Sequence, residues 1–211
     1  KPVYNMSVGE PDFSTPRNIQ QAGIDAIQGG YTKYTPGGGT FELKEAVCKK
    51  LKRDNNLDFD TNQIVVSSGA KHSLYNACQV LFQKNDEVII FTPYWVSFPD
   101  FVAVTGAKPV FVTTDTSKQN EPNFNDLKNK ITKKTKLIFV ENPGSNTFEF
   151  QDLSKILSLA KKNNIFTAMD NTWGTPYFIK PIKLGFDMSI VAATKYYSGH
   201  SDVMGGTLAV N

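Results

Sequence analysis

An α/β fold built on a mostly parallel seven-stranded sheet, with helices on both faces, is what this sequence predicts, and three observations predict it. Seven short runs rich in β-branched and aromatic residues recur along the chain. Amphipathic stretches of helical period separate most of them. The runs are nearly continuous in hydrophobicity rather than alternating, as strands covered on both faces are.

The strands are expected at 63–67, 87–91, 108–113, 136–140, 165–169, 188–193 and 206–210. Helices are expected at 17–29, 40–54, 71–83, 95–105, 124–130 and 151–163. The last keeps Leu153, Ile156, Leu157 and Leu159 with Ala160 on one broad face, and Asn163 with Asn164 marks its stop. A chain of 211 residues with no repeat or low-complexity tract is read as one domain over 1–211.

Composition removes several function classes. Hydrophobic residues at 40% and charged residues at 20% exclude a disordered chain. The net charge of +3 comes from scattered lysines without a run that could track phosphates, so no nucleic-acid partner is expected. No apolar stretch approaches the ~20 residues of a membrane span, and a cytoplasmic location is the default. Cys48 and Cys78 read as reduced, buried small residues. His72 and His200 lack the carboxylate or cysteine companions of a metal site, so no metal is expected.

The unusual residues gather at the carboxyl ends of the strands, where α/β sheets bind ligands. The first strand ends in Ser67-Ser68-Gly69-Ala70 and runs into a helix whose N-terminal N–H groups can face an anion; turn chemistry explains the glycine equally well. After the second strand, Pro93-Tyr94-Trp95 offers either a flat stacking face or core packing. Asp170 closes the fifth run and needs a cationic or hydrogen-bonding partner, or caps a turn. Lys195 follows the sixth. An anion cradle, an aromatic plate, an acid and an amine suit one ligand, pyridoxal 5'-phosphate (PLP): the acid keeps its ring nitrogen protonated and the lysine forms a Schiff base with it.

These motifs resemble two families. Residues 7–139 resemble class I aminotransferases of the aspartate aminotransferase type, through VGEPDFSTP (8–16), YTKYTPGGGTFELKEAV (31–47) and DEVIIFTPYWVSFPDF (86–101). Residues 141–211 resemble the Cys/Met-metabolism enzymes of the cystathionine β-lyase type, through ENPGSNTFEFQD (141–152), DNTWGTPYF (170–178) and TKYYSGHSDVMGG (194–206). Both families share the fold type I PLP architecture, so a chimera joined near residue 140 would keep the topology.

The resemblance implies an amino-acid-transforming enzyme acting through internal and external aldimines: an aminotransferase, a C–S β-lyase, or an engineered or truncated scaffold that binds PLP with little turnover. It makes Lys195 the Schiff-base lysine and proton shuttle, and Asp170 the partner of the pyridinium nitrogen. Gly69 and Ala70 would bind the phosphate, with the Thr194 hydroxyl. Trp95, or Tyr94, would stack on the ring, and Ser145, or Asn146, would face the phenolic oxygen. Gly9 would lie beside the amino-acid substrate. Tyr34 would reach the phosphate of a neighbouring subunit in a homodimer.

Three departures qualify it. Ala192 stands where the lyases carry Ser, and Ser145 with Trp173 stands where the aminotransferases carry Asn and Tyr. Neither Arg17 nor Arg53 lies where the families place their substrate or phosphate arginines, and on this reading the smaller C-terminal domain that supplies the substrate clamp is expected to be absent from residues 1–211. Cofactor binding is expected to outlast efficient catalysis.

Overall fold

The computed structural model describes residues 12–118, 120–200 and 203–211. The chain opens with α1 (Arg17–Gln28) and α2 (Phe41–Lys50). Thr40 caps α2 by accepting the Leu43 N–H at 3.4 Å. The helix expected to run to 54 gives way at Leu51 to a wide π turn, closed by Asn56 in the left-handed conformation. The strand expected at 63–67 shrinks to β1 (Ser67–Ser68). Gln63 is held in a tight turn by Asp60, and the Val66 N–H goes to the Gly38 carbonyl at 3.0 Å, so that stretch cannot pair as sheet.

From there the expected alternation holds. α3 (Ala70–Leu81) leads to β2 (Glu87–Phe91), α4 (Phe98–Ala103) and β3 (Lys108–Val112). α4 starts three residues later than expected because Pro99 lacks an N–H and fits only the first turn of a helix. A small hairpin, β4 (Thr114–Asp115) with β5 (Glu121–Pro122), was not anticipated. α5 (Phe124–Lys130), β6 (Thr135–Glu141), α6 (Leu153–Lys162) and β7 (Phe166–Asp170) follow. Two single-turn helices, α7 (Thr175–Phe178) and α8 (Pro181–Leu184), too short for a periodic signal, precede β8 (Met188–Ala192) and β9 (Gly205–Val210).

Seven strands form one sheet in the order β1-β9-β8-β7-β6-β2-β3. β3, β2, β6, β7 and β8 pair in parallel, while β1 pairs antiparallel with β9. The chain passes from β2 outward to β3 and later returns to the other side of β2 as β6, which makes the β2/β6 boundary the switch point of the sheet.

The chain divides into two compact units, Lys1–Ala70 with Ala192–Gly206 and Lys71–Val191 with Thr207–Asn211. The second holds the principal apolar core, in two layers. Val88 and Ile90 of β2 face Leu74, Cys78 and Phe82 of α3 and Phe98 and Val102 of α4. Ile89 and Phe91 of the same strand face the opposite layer, with Leu127 of α5, Ile156 and Ala160 of α6, and Phe186. Alternate residues of one strand are therefore buried on opposite faces, which explains the continuous apolar runs. Cys78 lies in this core as a free thiol, and burial pushes its pKa up to about 12; Cys48 is free as well.

Ile138 sits fully buried at the middle of β6, flanked by β2 and β7. Ile138→Ala is expected to cost about 2–5 kcal/mol of unfolding free energy, through lost burial and the cavity left behind. Urea denaturation of the two proteins measures it.

Candidate functional site

Within the larger unit, the loops that leave β2 and β6 at the switch point are tied to each other. Each opens on a cis peptide, Thr92–Pro93 and Asn142–Pro143. The Asn146 side-chain amide donates to the Tyr94 carbonyl at 3.0 Å. The Tyr94 ring is stacked on Phe111 of β3, with centroids 5.1 Å apart. Trp95 is half-buried, edge-on to Phe98 at 5.5 Å, and the Lys71 ammonium lies 4.9 Å from its ring centroid. Of the two aromatic candidates, Tyr94 is committed to packing on β3.

The loop after β6 is held from inside. Asn142, 2% exposed, accepts the Gln151 N–H on its side-chain oxygen at 2.7 Å. Glu149 is buried, accepts from the Thr147 hydroxyl, and lies so close to Gly144 that a Cβ there would collide with its carboxylate. Sequence alone suggests helix-start acidity for both Glu149 and Asp152. Only Asp152 has that role, its carboxylate accepting the Lys155 N–H at 3.0 Å as the cap of α6. That bond and the Lys155 ammonium hold the Asp152 carboxyl below the usual aspartate range.

Asp170 ends β7 beside Glu141, which ends β6, and the two are register partners. Asp170 accepts the Thr172 N–H at 2.9 Å. Although the residue is only half-buried by surface exposure, the protein mass around its carboxyl pushes its pKa up, and the Thr172 hydroxyl and N–H pull it back part of the way. Burial, the Asp170 charge and the Glu149 charge push Glu141 up to about 7, against the hydrogen bonds from Ser145. The Ser145 hydroxyl donates to the Glu141 carboxylate at 3.0 Å. Next to Asp170, Asn171 is fully buried: its N–H goes to the Ile190 carbonyl at 2.7 Å and its amide nitrogen to the Ile179 carbonyl at 2.9 Å, while its side-chain oxygen has no partner among the described residues.

The other unit holds the glycine turn and the lysine. Gly69 adopts a left-handed φ of 83°, which suits glycine, and bridges to Gly205. A Cβ on Gly206 would fall within the backbone of Ala70, so only glycine lets the two segments approach. The Thr194 hydroxyl accepts the Gly205 N–H at 3.0 Å and faces the Gly205 carbonyl at 3.2 Å. Lys195 is half-buried in a turn that its own N–H closes onto the Ala192 carbonyl, at 3.0 Å. Tyr34 is fully exposed.

The structure therefore brings Gly69, Ala70, Thr194 and Lys195 together in one unit, and Ser145 and Asp170, with Trp95 on the adjoining loop, in the other. Gly9 lies outside the described residues. Glu141 and Asn171 were not singled out from the sequence. For Glu141 a signal existed: like Asp170, it is a charge ending an apolar run. Among the described residues there is no cluster fit for a metal ion and no helix long and apolar enough to cross a membrane.

The residues present fit PLP on one observation above all. Asp170 is a desolvated strand-end carboxylate that accepts from Thr172, and a ring N–H cation would offset the burial that raises its pKa. Sheet order and strand-end chemistry together define a PLP-dependent transferase fold. The family model for aminotransferase class I and II matches residues 1–184, and the chain belongs to that family, whose members depend on PLP.

The chain is 43% identical over 174 residues to aspartate aminotransferase of Bacillus sp. (strain YM-2), covering 81% of this chain and 44% of that protein. It is 40% identical to aspartate aminotransferase of Bacillus subtilis (strain 168), with the same coverage. Aspartate aminotransferase of Thermotoga maritima superposes with a TM-score of 0.83 at 28% identity, over 100% of this chain and 59% of that one. The chain thus spans less than half the length of the curated relatives it matches. The family match runs through residue 140 without a break, so the comparisons give no support to a junction there.

Asn142→Ala leaves the buried Gln151 N–H without its acceptor and frees the loop that carries Ser145 and Asn146. A loss of about 1–3 kcal/mol in unfolding free energy is expected, read by urea denaturation.

Proposed function

We propose that residues 1–211 form the cofactor-binding domain of an aminotransferase that moves the amino group of an amino acid, aspartate first among substrates, through PLP held by Lys195. The observation that carries this reading is the family match over residues 1–184 joined to a strand-end Asp170 whose carboxyl is desolvated against the two Thr172 hydrogen bonds. When bound, the cofactor supplies an electron sink for the carbon that loses its proton.

The rest of the work falls to the chain. Lys195 would hold the cofactor, and its amine would move the Cα proton. Asp170 holds a positive charge on the ring nitrogen. Gly69 and Ala70 offer N–H groups to the phosphate at the start of α3. Trp95 orients the ring from one side. Ser145 acts on the pocket through Glu141, to which its hydroxyl is bonded. Gly9 borders the substrate. Tyr34, fully exposed on its own chain, serves the site of a second subunit in a cytoplasmic homodimer.

A second reading is β-elimination at a C–S bond. It is favoured by the lyase-like TKYYSGHSDVMGG segment, which lies beyond the residue where the family match ends, and by Trp173 in place of tyrosine. On that reading the chain is a chimera with lyase chemistry in its second half. A PLP-binding scaffold with little turnover is the third outcome.

Adding PLP is expected to produce a visible absorption band that Lys195→Ala abolishes; a wild-type protein without the band contradicts the cofactor assignment. Keto acid formed from aspartate and a keto-acid acceptor supports transamination. Pyruvate and thiol formed from cystathionine support the lyase reading, and a band without either product supports the scaffold.

A further inference from the structure

We propose that Glu141 is a positioning residue for Asp170: the two strand-end carboxyls carry one negative charge between them, and Glu141 keeps a proton until a cation docks on Asp170. Where that cation is the ring of PLP, the proposal rests on the function proposed above.

The geometry begins with register. β6 and β7 are parallel, Glu141 pairs with Asp170, and paired residues of parallel strands project from the same face. Two carboxylates so placed resist ionising together. The proton settles on Glu141 for a reason visible in its surroundings. Two negative groups bear on Glu141, Asp170 of β7 and Glu149 of the following loop. Only Ser145 opposes them, through its hydroxyl at 3.0 Å and its N–H. Burial pushes the Asp170 carboxyl up as well, and the Thr172 hydroxyl and the Thr172 N–H at 2.9 Å oppose that push.

The arrangement also changes what Ser145 does. Its hydroxyl proton is directed to Glu141, and the Asn146 amide is directed to Tyr94, so both side chains expected to face the cofactor are engaged within the protein. Ser145 and Glu141 instead form one unit whose charge Asp170 feels. A cation on Asp170 cancels the repulsion, Glu141 releases its proton to solvent, and the strand ends then carry two negative charges against one positive. Below neutral pH Glu141 is neutral and the hold on the cation weaker; above it the second charge strengthens the hold.

The test is a pH titration by NMR of the protein labelled with carbon-13 at the glutamate side-chain carboxyls. Glu141→Gln identifies the Glu141 resonance by its loss. In the wild type that resonance is expected to titrate near 7. Asp170→Asn, which removes the like charge, is expected to lower the midpoint, and PLP is expected to lower it in the wild type by about one unit or more. If Asp170→Asn does not fold, the PLP titration of the wild type decides alone. A midpoint in the ordinary glutamate range overturns the proposal, as does one that ignores both Asp170→Asn and bound PLP. If PLP gives no visible band, the cofactor assignment fails, and the midpoints of the unliganded wild type and Asp170→Asn still decide the proton claim.

Discussion

Parallel strands covered on both faces leave a charged side chain nowhere to go except the strand ends, and the architecture of this chain follows from that constraint. β2, β6, β7 and β8 bury their central residues against helices on either side. A charge within any of them would stand unpaired in the core, at a cost of several kcal/mol. The acids therefore appear one residue past the apolar run, as Glu141 and Asp170. The polar chemistry of the larger unit is concentrated there because the sheet excludes it elsewhere.

The same constraint explains the care with which the adjoining loops are built. A loop above a closed core must satisfy its own backbone groups, and Asn142 does so by receiving the Gln151 N–H from within. Glycines at 144 and 206 mark the places where a carboxylate or another backbone passes too close for a side chain. Among the described residues two buried side-chain oxygens stand without a protein partner, that of Gln151 in the same loop and that of Asn171, fully buried at the strand end that also carries the perturbed acid.

Much of this was legible in the sequence, for physical reasons. Runs such as 87–91 and helices such as 124–130 emerge where expected because burial sets their periodicity. The stretch 63–67 looked like a strand by composition, yet Gln63 and Val66 spend their hydrogen bonds outside the sheet, which composition does not reveal. Asp170 and Lys195 were found because a charge after an apolar run is anomalous. Glu141 obeys the same rule and was passed over as the first residue of a loop motif. Only the register of β6 with β7 shows it beside Asp170. The hydroxyl partners of Thr194 and Ser145 depend on tertiary approach and had no signal in the sequence at all.

The central claim is that Lys195, among 21 lysines in a chain whose basic residues total 23 with Arg17 and Arg53, is the one that bonds the cofactor. Borohydride reduction of the protein with PLP at low molar ratio, followed by peptide mass spectrometry, tests it most directly. The account predicts a single phosphopyridoxyl group on the peptide that contains Lys195. Label spread over exposed lysines, or concentrated on a different one, would contradict it.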